Sequence, residues 1–245
     1  MDSGYYAACA GLVARTQALD TIANNLANTS TPGFRANRNI FHSMVAEAAN
    51  EQLSVLNADA NDYGVLSGTQ LDTSQGSLVS TSNPLDFAIQ GSGYFEVQTA
   101  SGVAYTRGGS FRISPKGQLT TAAGDSVIGD NGPISVPGAP VSVSADGTLT
   151  VNGAIAGRLK VVDFPKGVQI ESLGGENYKP LPATTPIAST AQVRQGMLEG
   201  SNVNPVTSVI EMINAQREVE GMRRVLTLLN NEVDKAAVQD LPRVG

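Results

Sequence analysis

The apolar residues at the N-terminal end of the chain recur with a helical period. Between Ser3 and Asn28 they are spaced alternately three and four residues apart, which is the spacing of a coiled-coil seam. The seam positions are Tyr5, Cys9, Leu12, Thr16, Leu19, Ala23 and Leu26. This pattern predicts one amphipathic helix, which ends where Thr31-Pro32-Gly33 interrupts the period.

The C-terminal end of the chain has the same pattern. No proline occurs between Thr207 and Val238, and Asn204-Pro205 suits a helix start because proline is tolerated in the first turn. The seam positions here are Met212, Ala215, Val219, Met222, Leu226, Leu229, Val233 and Ala236. Either helix alone would expose an apolar stripe, so we predict that the two pair as a discontinuous coiled-coil domain.

The sequence between the two helices has short alternating runs separated by glycine-containing turns, which predicts β-strands. Ser114–Thr120 and Ser144–Thr150 both place a glycine where a tight hairpin needs a positive φ. The spacing of the turns predicts an inserted antiparallel all-β domain, so the fold class is mixed α and β.

We therefore divide the chain into four predicted segments. An N-terminal helix occupies residues 1–35, an extended linker 36–75, the β-domain 76–200 and a C-terminal helix 201–245. The first part of the linker, through Ala49, also fits a continuation of the helix.

Composition and charge disfavour several classes of function. The chain has 16 basic and 22 acidic residues, a net charge of −6, which disfavours a dedicated nucleic-acid-binding protein because such a protein needs a basic face. A single cysteine, Cys9, excludes an internal disulfide. No stretch approaches the roughly 18 apolar residues of a membrane span, and the N-terminus lacks the pattern of a cleaved secretion signal.

The sequence also contains few residues that suggest catalysis or metal binding. His42 is the only histidine, so it has no companion imidazole for a metal site. Five aspartates raise the question of a carboxylate pair for glycoside hydrolysis, but most lie beside glycines in predicted turns, where aspartate is favoured for local hydrogen bonding. They are Asp86, Asp125, Asp130, Asp146 and Asp163. We predict no catalytic residue, no cofactor and no metal ion.

The run from Ile22 to Phe34 is the most specific local sequence. An apolar seam ends beside three asparagines, and Pro32-Gly33 then forces a turn that presents Phe34. By pattern alone this is an ordinary helix stop. The run also resembles the N-terminal signature of the flagellar rod and hook protein family. The signature positions are Asn24, Asn25, Leu26, Ala27, Asn28, Thr31, Pro32, Gly33 and Phe34.

The resemblance extends over most of the chain. Leu85–Phe95 and Tyr105–Phe111 resemble the β-domain of the longer rod proteins and the hook protein, and Gln195–Asn204 with Met212–Arg217 resembles their C-terminal region. Small rod proteins lack such a central domain, and the hook protein is considerably longer. The run Gly129–Ile134 is more similar to the proximal-rod protein, with the distal-rod protein as the alternative.

This resemblance implies a structural subunit of the periplasmic rod of the flagellar basal body, which transmits torque. It implies that the partners are other rod subunits, further copies of the chain and the type III export apparatus. Phe41 and Val45 resemble an element read by the export gate, although an apolar pair four residues apart also fits one helix face. We expect terminal helices that become ordered when neighbouring subunits bury them.

Two other classes share part of this pattern. One is a carbohydrate-binding or hydrolytic β-domain with oligomerising helices, which the absence of tryptophan disfavours. The other is a phage-tail or similar tubular assembly protein, which would share the helical seams without the signature.

Overall fold

The computed structural model describes residues 2–43, 64–138, 140–165, 167–181 and 184–239. It confirms the mixed α and β class, with a helix near each end and antiparallel strands between them. The chain divides into two compact units. The helical unit comprises the described parts of Met1–Leu26, Arg38–Thr69 and Pro205–Gly245, and the β-unit comprises Ala27–Asn37 and those of Gln70–Asn204.

The helical unit contains the two long helices. They are α1 (Asp2–Ala27) and α2 (Pro205–Gln239), and α2 begins at the proline that the sequence placed in its first turn. Within the residues described, neither helix carries an apolar stretch sufficient to cross a lipid bilayer.

Two strands, β1 (Asn37–Ser43) and β2 (Gly64–Leu71), pair as a separate two-stranded sheet. The option of a helix continuing through this region was wrong for residues 37–43. The segment of β1 is Asn-Arg-Asn-Ile-Phe-His-Ser, which lacks the apolar period of α1 and offers no one-sided face for a helix to bury.

The β-unit is built from short strands. In chain order they are β3 (Leu78–Ser80), β4 (Phe87–Gln90), β5 (Tyr94–Thr99), β6 (Gly102–Thr106), β7 (Arg112–Ile113), β8 (Leu119–Thr120), β9 (Ser126–Gly129), β10 (Gly132–Pro133), β11 (Val141–Val143), β12 (Thr148–Val151), β13 (Ala154–Arg158), β14 (Val161–Asp163), β15 (Ile170–Gly174), β16 (Asn177–Pro180), β17 (Ile187–Ala188), β18 (Gln192–Gln195) and β19 (Met197–Glu199).

The main sheet has the strand order β15-β16-β6-β5-β9-β8-β7, to which β10, β14 and β17 attach. At its centre β5 and β6 form an antiparallel hairpin that pairs Phe95 with Thr106 and Thr99 with Gly102. Three strands, β11-β12-β13, form a second sheet, while β18 pairs with β4 and β19 with β3. The last strands therefore return to the first ones, which brings the two ends of the β-unit together.

The two predicted hairpins are confirmed and share one geometry. Gly117 and Gly147 have φ values of 73° and 85°, which side chains rarely adopt. In both turns the glycine N–H donates to the carbonyl of a serine three residues earlier, Ser114 or Ser144, at 2.8 and 2.9 Å. The repeated sequence therefore encodes a repeated turn.

The core of the β-unit consists of large, fully buried side chains. Phe87, Ile89, Phe95 and Val97 are 0% exposed, and the Phe95 and Phe111 rings meet edge to face with centroids 5.3 Å apart. A second cluster contains Tyr94, Tyr105, Val162, Phe164 and Tyr178, packed beside Leu71.

Candidate assembly site

One face of α2 lies away from solvent. Between residues 205 and 228 the side chains that are not exposed are those of Ser208, Met212, Ala215, Val219, Met222 and Leu226. They are spaced alternately four and three residues apart, and five of them are positions of the predicted seam. The side chains of Leu229 and Val233 lie outside those described.

The most buried face of α1 consists of small residues. Ala8, Gly11, Ala14 and Ala18 are buried there. Of the predicted seam, Cys9, Leu12, Leu19 and Leu26 are half-buried and Ala23 is exposed, while the Tyr5 side chain is not among those described. Small buried side chains bury little apolar area, so this face contributes little hydrophobic stabilisation.

An ion pair joins the two helices inside the helical unit. Arg15 Nη1 lies 3.0 Å from Glu218 Oε2, and both side chains are about half exposed. Such a pair contributes at most about 1 kcal/mol because water and salt screen it. Pairing of α1 and α2 along a coiled-coil seam remains a prediction.

A second apolar stripe on α2 is exposed. It consists of Val206, Val209, Ile210 and Ile213, with exposed fractions of 69, 43, 55 and 44%. At about 100° per residue, this stripe is centred roughly 150° around the helix from the buried face. The first turns of α2 are therefore apolar on both sides, which is typical of a helix that is covered on both sides.

The signature run forms a compact turn at the end of α1. The Thr31 N–H donates to the Asn28 carbonyl at 3.2 Å, and the Thr31 hydroxyl contacts Asn28 Oδ1 at 3.1 Å. The Phe34 N–H then donates to the Thr31 carbonyl at 3.3 Å. Asn24 is exposed and Asn25 half-buried, whereas Phe34 is only 2% exposed, so the turn ends on a buried aromatic ring.

Gly33 is required by both conformation and space. Its φ is +71°, and a Cβ at this position would overlap the backbone of Arg107 and Gly108. The Gly33 N–H donates to the Glu199 carbonyl at 2.7 Å. Only glycine satisfies both conditions without a shift of the backbone, so the glycine of the signature has a local structural cause.

Three charged residues that sequence reasoning missed lie directly behind this turn. Arg35, Arg107 and Glu199 are buried together. Arg35 Nη2 lies 2.6 Å from Glu199 Oε1, and Arg107 Nη1 lies 3.0 Å from Glu199 Oε2. Each of the three occurs within or next to a stretch that resembles the family, which is the only signal that the sequence offered.

Burial governs the ionisation of the groups around this cluster. Desolvation lowers the pKa of Arg107, while the Glu199 carboxylate opposes that shift. Burial also raises the pKa of the Tyr178 hydroxyl well above its ordinary value, and it raises the pKa of the Tyr94 hydroxyl. The Arg107 guanidinium lies over the Tyr94 ring, 5.2 Å from its centroid, which partly offsets the loss of water.

The possible export element is only partly described. Phe41 lies in β1, but its side chain is not among those described, and Val45 lies outside the described residues.

Three family models match the chain in order. The model described as "Flagella basal body rod protein" matches residues 6–35, "Flagellar hook protein FlgE/F/G D1 domain" matches 88–151, and "Flagellar basal body rod FlgEFG protein C-terminal" matches 194–228. These segments hold the signature turn, the core of the β-unit and the first turns of α2. The chain thus has the organisation of a flagellar rod and hook protein.

Relatives that match most of the chain identify its family more closely. The chain is 35% identical to the flagellar basal-body rod protein FlgF of Escherichia coli, over 96% of this chain and 97% of that protein. It is 31% identical to FlgF of Caulobacter vibrioides over the whole of both chains. It is 32% identical to the basal-body rod protein FlgG of Buchnera aphidicola over 86% of this chain and 89% of that protein. The chain belongs to the family of flagellar basal-body rod proteins.

Proposed function

We propose that this chain is a non-enzymatic, structural subunit of the flagellar rod in the basal body, which assembles with other rod subunits through its terminal helices. The observation that carries the proposal is the exposed stripe on α2, from Val206 to Ile213. A family member that must join neighbouring subunits needs a surface that is incomplete in the single chain. This stripe is such a surface.

The physical basis is the hydrophobic effect. Each large aliphatic side chain that moves from water into a packed contact contributes roughly 1.5–3 kcal/mol. The stripe spans two turns of α2 with the i, i+3, i+4, i+7 spacing by which one helix packs on another. A terminal helix of a neighbouring rod subunit is therefore the partner that fits it. Contacts between different surfaces of successive subunits would build an open helical array.

We assign the chain to the proximal rod rather than to the distal rod. In support, the relatives named FlgF match 96% of this chain or more, whereas those named FlgG match 86–91%. In the rod the subunit would transmit torque along the shaft through its contacts with the neighbouring subunits.

Delivery through the type III export apparatus is a further part of the proposal. It rests on the resemblance of Phe41 and Val45 to an export-gate element. The measurement is the amount of a Phe41→Ala chain that cells secrete, and secretion equal to that of the parent chain would remove Phe41 from this role.

The assembly proposal is tested by placing the same charge at two exposed isoleucines. Ile210→Asp lies on the α2 stripe, and Ile155→Asp lies on β13, where Ile155 is 76% exposed. In a strain lacking the gene, we expect the Ile155→Asp chain to restore swimming and the Ile210→Asp chain to fail. Both purified monomers should retain the near-ultraviolet circular dichroism of the folded β-unit.

The two variants separate assembly from folding because neither residue is buried in the single chain. Full swimming with Ile210→Asp would contradict the role of the stripe. Equal loss of swimming with both variants would show that exposed charge anywhere blocks function, which would also count against a specific helical contact.

A further inference from the structure

The last two residues of the signature and the two that follow them are built into the β-unit. We call residues 33–36 the strap. It leaves the end of α1 and crosses the last residues before α2, because the Gly33 N–H donates to the Glu199 carbonyl at 2.7 Å and the Asn202 N–H to the Phe34 carbonyl at 3.3 Å. The Ala36 N–H donates to Asn202 Oδ1 at 2.7 Å. The two chain ends of the β-unit are thus bonded to each other.

The Tyr178 hydroxyl holds the strap from the opposite side. It accepts a hydrogen bond from the Arg35 N–H at 2.8 Å and donates to the Gly33 carbonyl at 3.2 Å. Tyr178 is 0% exposed. Without the strap this buried hydroxyl would lose both partners, and an unsatisfied buried polar group is strongly unfavourable.

Buried ion pairs connect the strap to the rest of the β-unit. The acid–base cluster of Arg35, Arg107 and Glu199 places two cations around one carboxylate, and all three side chains are at least 97% buried. A third contact to the Glu199 carboxylate comes from the backbone, where the Gly76 N–H donates to Oε1 at 2.9 Å. Glu199 is therefore the shared anion through which the strap is fixed to the strands.

Arg35 is anchored beyond the ion pair as well. Its guanidinium donates through Nη1 to the Ser74 carbonyl, and the Asp72 N–H donates to the Ala36 carbonyl at 2.8 Å. A second side chain, Asn202, bonds Asp72 and Ser74 through its amide nitrogen at 3.0 and 3.1 Å. The strap thus lies between the segment before β3 and the segment before α2, bonded to both.

We infer that the strap is an obligatory part of the β-unit, which opens only when the whole unit unfolds, because Arg35 and Glu199 lock the two chain ends together. The signature turn then has a second role besides ending α1. It delivers Phe34 and Arg35 to their buried positions. This role concerns folding of the single chain and holds whether or not the rod assignment is correct.

The contacts of the strap join residues that are far apart in sequence. Arg35 and Tyr178 are 143 residues apart in sequence, and Ala36 and Asn202 are 166 residues apart. Contacts over such separations form late because a long loop must close first. The β-unit would complete its structure only when both ends of the chain are present.

The direct test is amide hydrogen exchange of the native full-length chain under conditions where exchange reports the opening equilibrium. We expect the Gly33 and Arg35 amides to exchange within about tenfold of the slowest amides of β5, because the strap and the core open together. Exchange of the strap more than about a hundredfold faster than β5 would overturn the inference, since the strap would then open alone.

A double-mutant cycle tests the lock itself. Glu199→Gln leaves two buried cations without an anion, and we expect the unfolding equilibrium constant to rise on the order of a hundredfold or more. Glu171→Gln, at an exposed position of β15, is the matched control and should change it less than about threefold. Adding Arg35→Met to Glu199→Gln removes one of the two unpaired cations.

We therefore expect the unfolding equilibrium constant of the double variant to rise at least about tenfold less than the product of the rises in the two single variants. Effects that multiply within about twofold would show that Arg35 and Glu199 are not coupled, which would overturn the lock. If Glu199→Gln does not fold at all, the exchange experiment on the parent chain still decides between a strap that opens alone and one that does not.

Discussion

The two units differ in whether they contain a core of large, fully buried apolar side chains. In the β-unit, Phe87, Phe95, Leu119 and Leu149 are 0% exposed. In the helical unit, the most buried described side chains on α1 are alanines, and the stripe from Val206 to Ile213 on α2 faces solvent. The β-unit has a complete core as a single chain, whereas the helices do not.

This difference indicates that the two units have different roles. A unit with a complete core folds by itself, and a helix that exposes aliphatic residues gains stability when a partner covers them. We interpret the β-unit as the part that folds within each subunit and the helices as the part that assembly completes. Mutations in the two units should therefore change different properties.

The largest effect is expected in the core of the β-unit. Phe95→Ala removes a ring that packs against Phe111 at 5.3 Å, and we expect a loss of about 3–5 kcal/mol in the free energy of unfolding. Val103→Ala, at a 43% exposed position on neighbouring β6, should cost less than about 1 kcal/mol. Urea unfolding followed by near-ultraviolet circular dichroism measures both, and equal losses would mean that the β-unit lacks a specific core.

An intermediate effect is expected in the helical unit. In dilute solution the helical signal at 222 nm should disappear at lower urea than the near-ultraviolet signal of the β-unit, because the two units differ in burial. Val219→Asp places a carboxylate at a 5% exposed position of α2 and should destabilise the helical transition by about 2 kcal/mol. The β-unit transition should stay where it is. Coincident transitions for both signals in the parent chain would refute this separation.

The helices and turns were predictable because each depends on local sequence. A period of three and four residues is readable over 30 residues, and the buried and half-buried positions of α2 from Met212 to Leu226 follow it. Glycines in the paired hairpins at Gly117 and Gly147 were predictable for the same reason, since a positive φ at a tight turn selects glycine.

The acid–base cluster was not predictable from such patterns. Arg35 and Glu199 are far apart in sequence, and a charged residue in isolation is usually at the surface. Nothing in the local sequence indicates that each would be buried opposite the other. Strand β1 was missed for a related reason, because its partner β2 begins only at Gly64 and no short hairpin connects them.

The smallest expected effect is on the pH dependence of stability, through Tyr178, which is bonded to the strap. Burial raises the pKa of Tyr178 in the folded chain above the value of about 10 in the unfolded chain. Its contribution to stability is therefore complete below pH 10 and is lost as the pH rises toward the folded pKa, because the unfolded chain releases the proton first. In that range each such tyrosine lowers the free energy of unfolding by about 1.4 kcal/mol per pH unit.

Tyr178→Phe removes this proton, so the total loss of unfolding free energy between pH 9 and about 11, measured by urea unfolding, should be smaller by about 1.4 kcal/mol. Tyr94 and Tyr105, whose pKa values are also raised by burial, keep their share of the slope in the variant. At neutral pH the same variant should lose about 1–2 kcal/mol, since the Arg35 N–H and the Gly33 carbonyl lose their partner. Equal slopes for parent and variant would mean that Tyr178 is ionised as readily in the folded as in the unfolded chain. That result would be incompatible with a Tyr178 hydroxyl that the strap buries. A reduced slope would show that the strap keeps this hydroxyl away from water, as the core residues of the β-unit are.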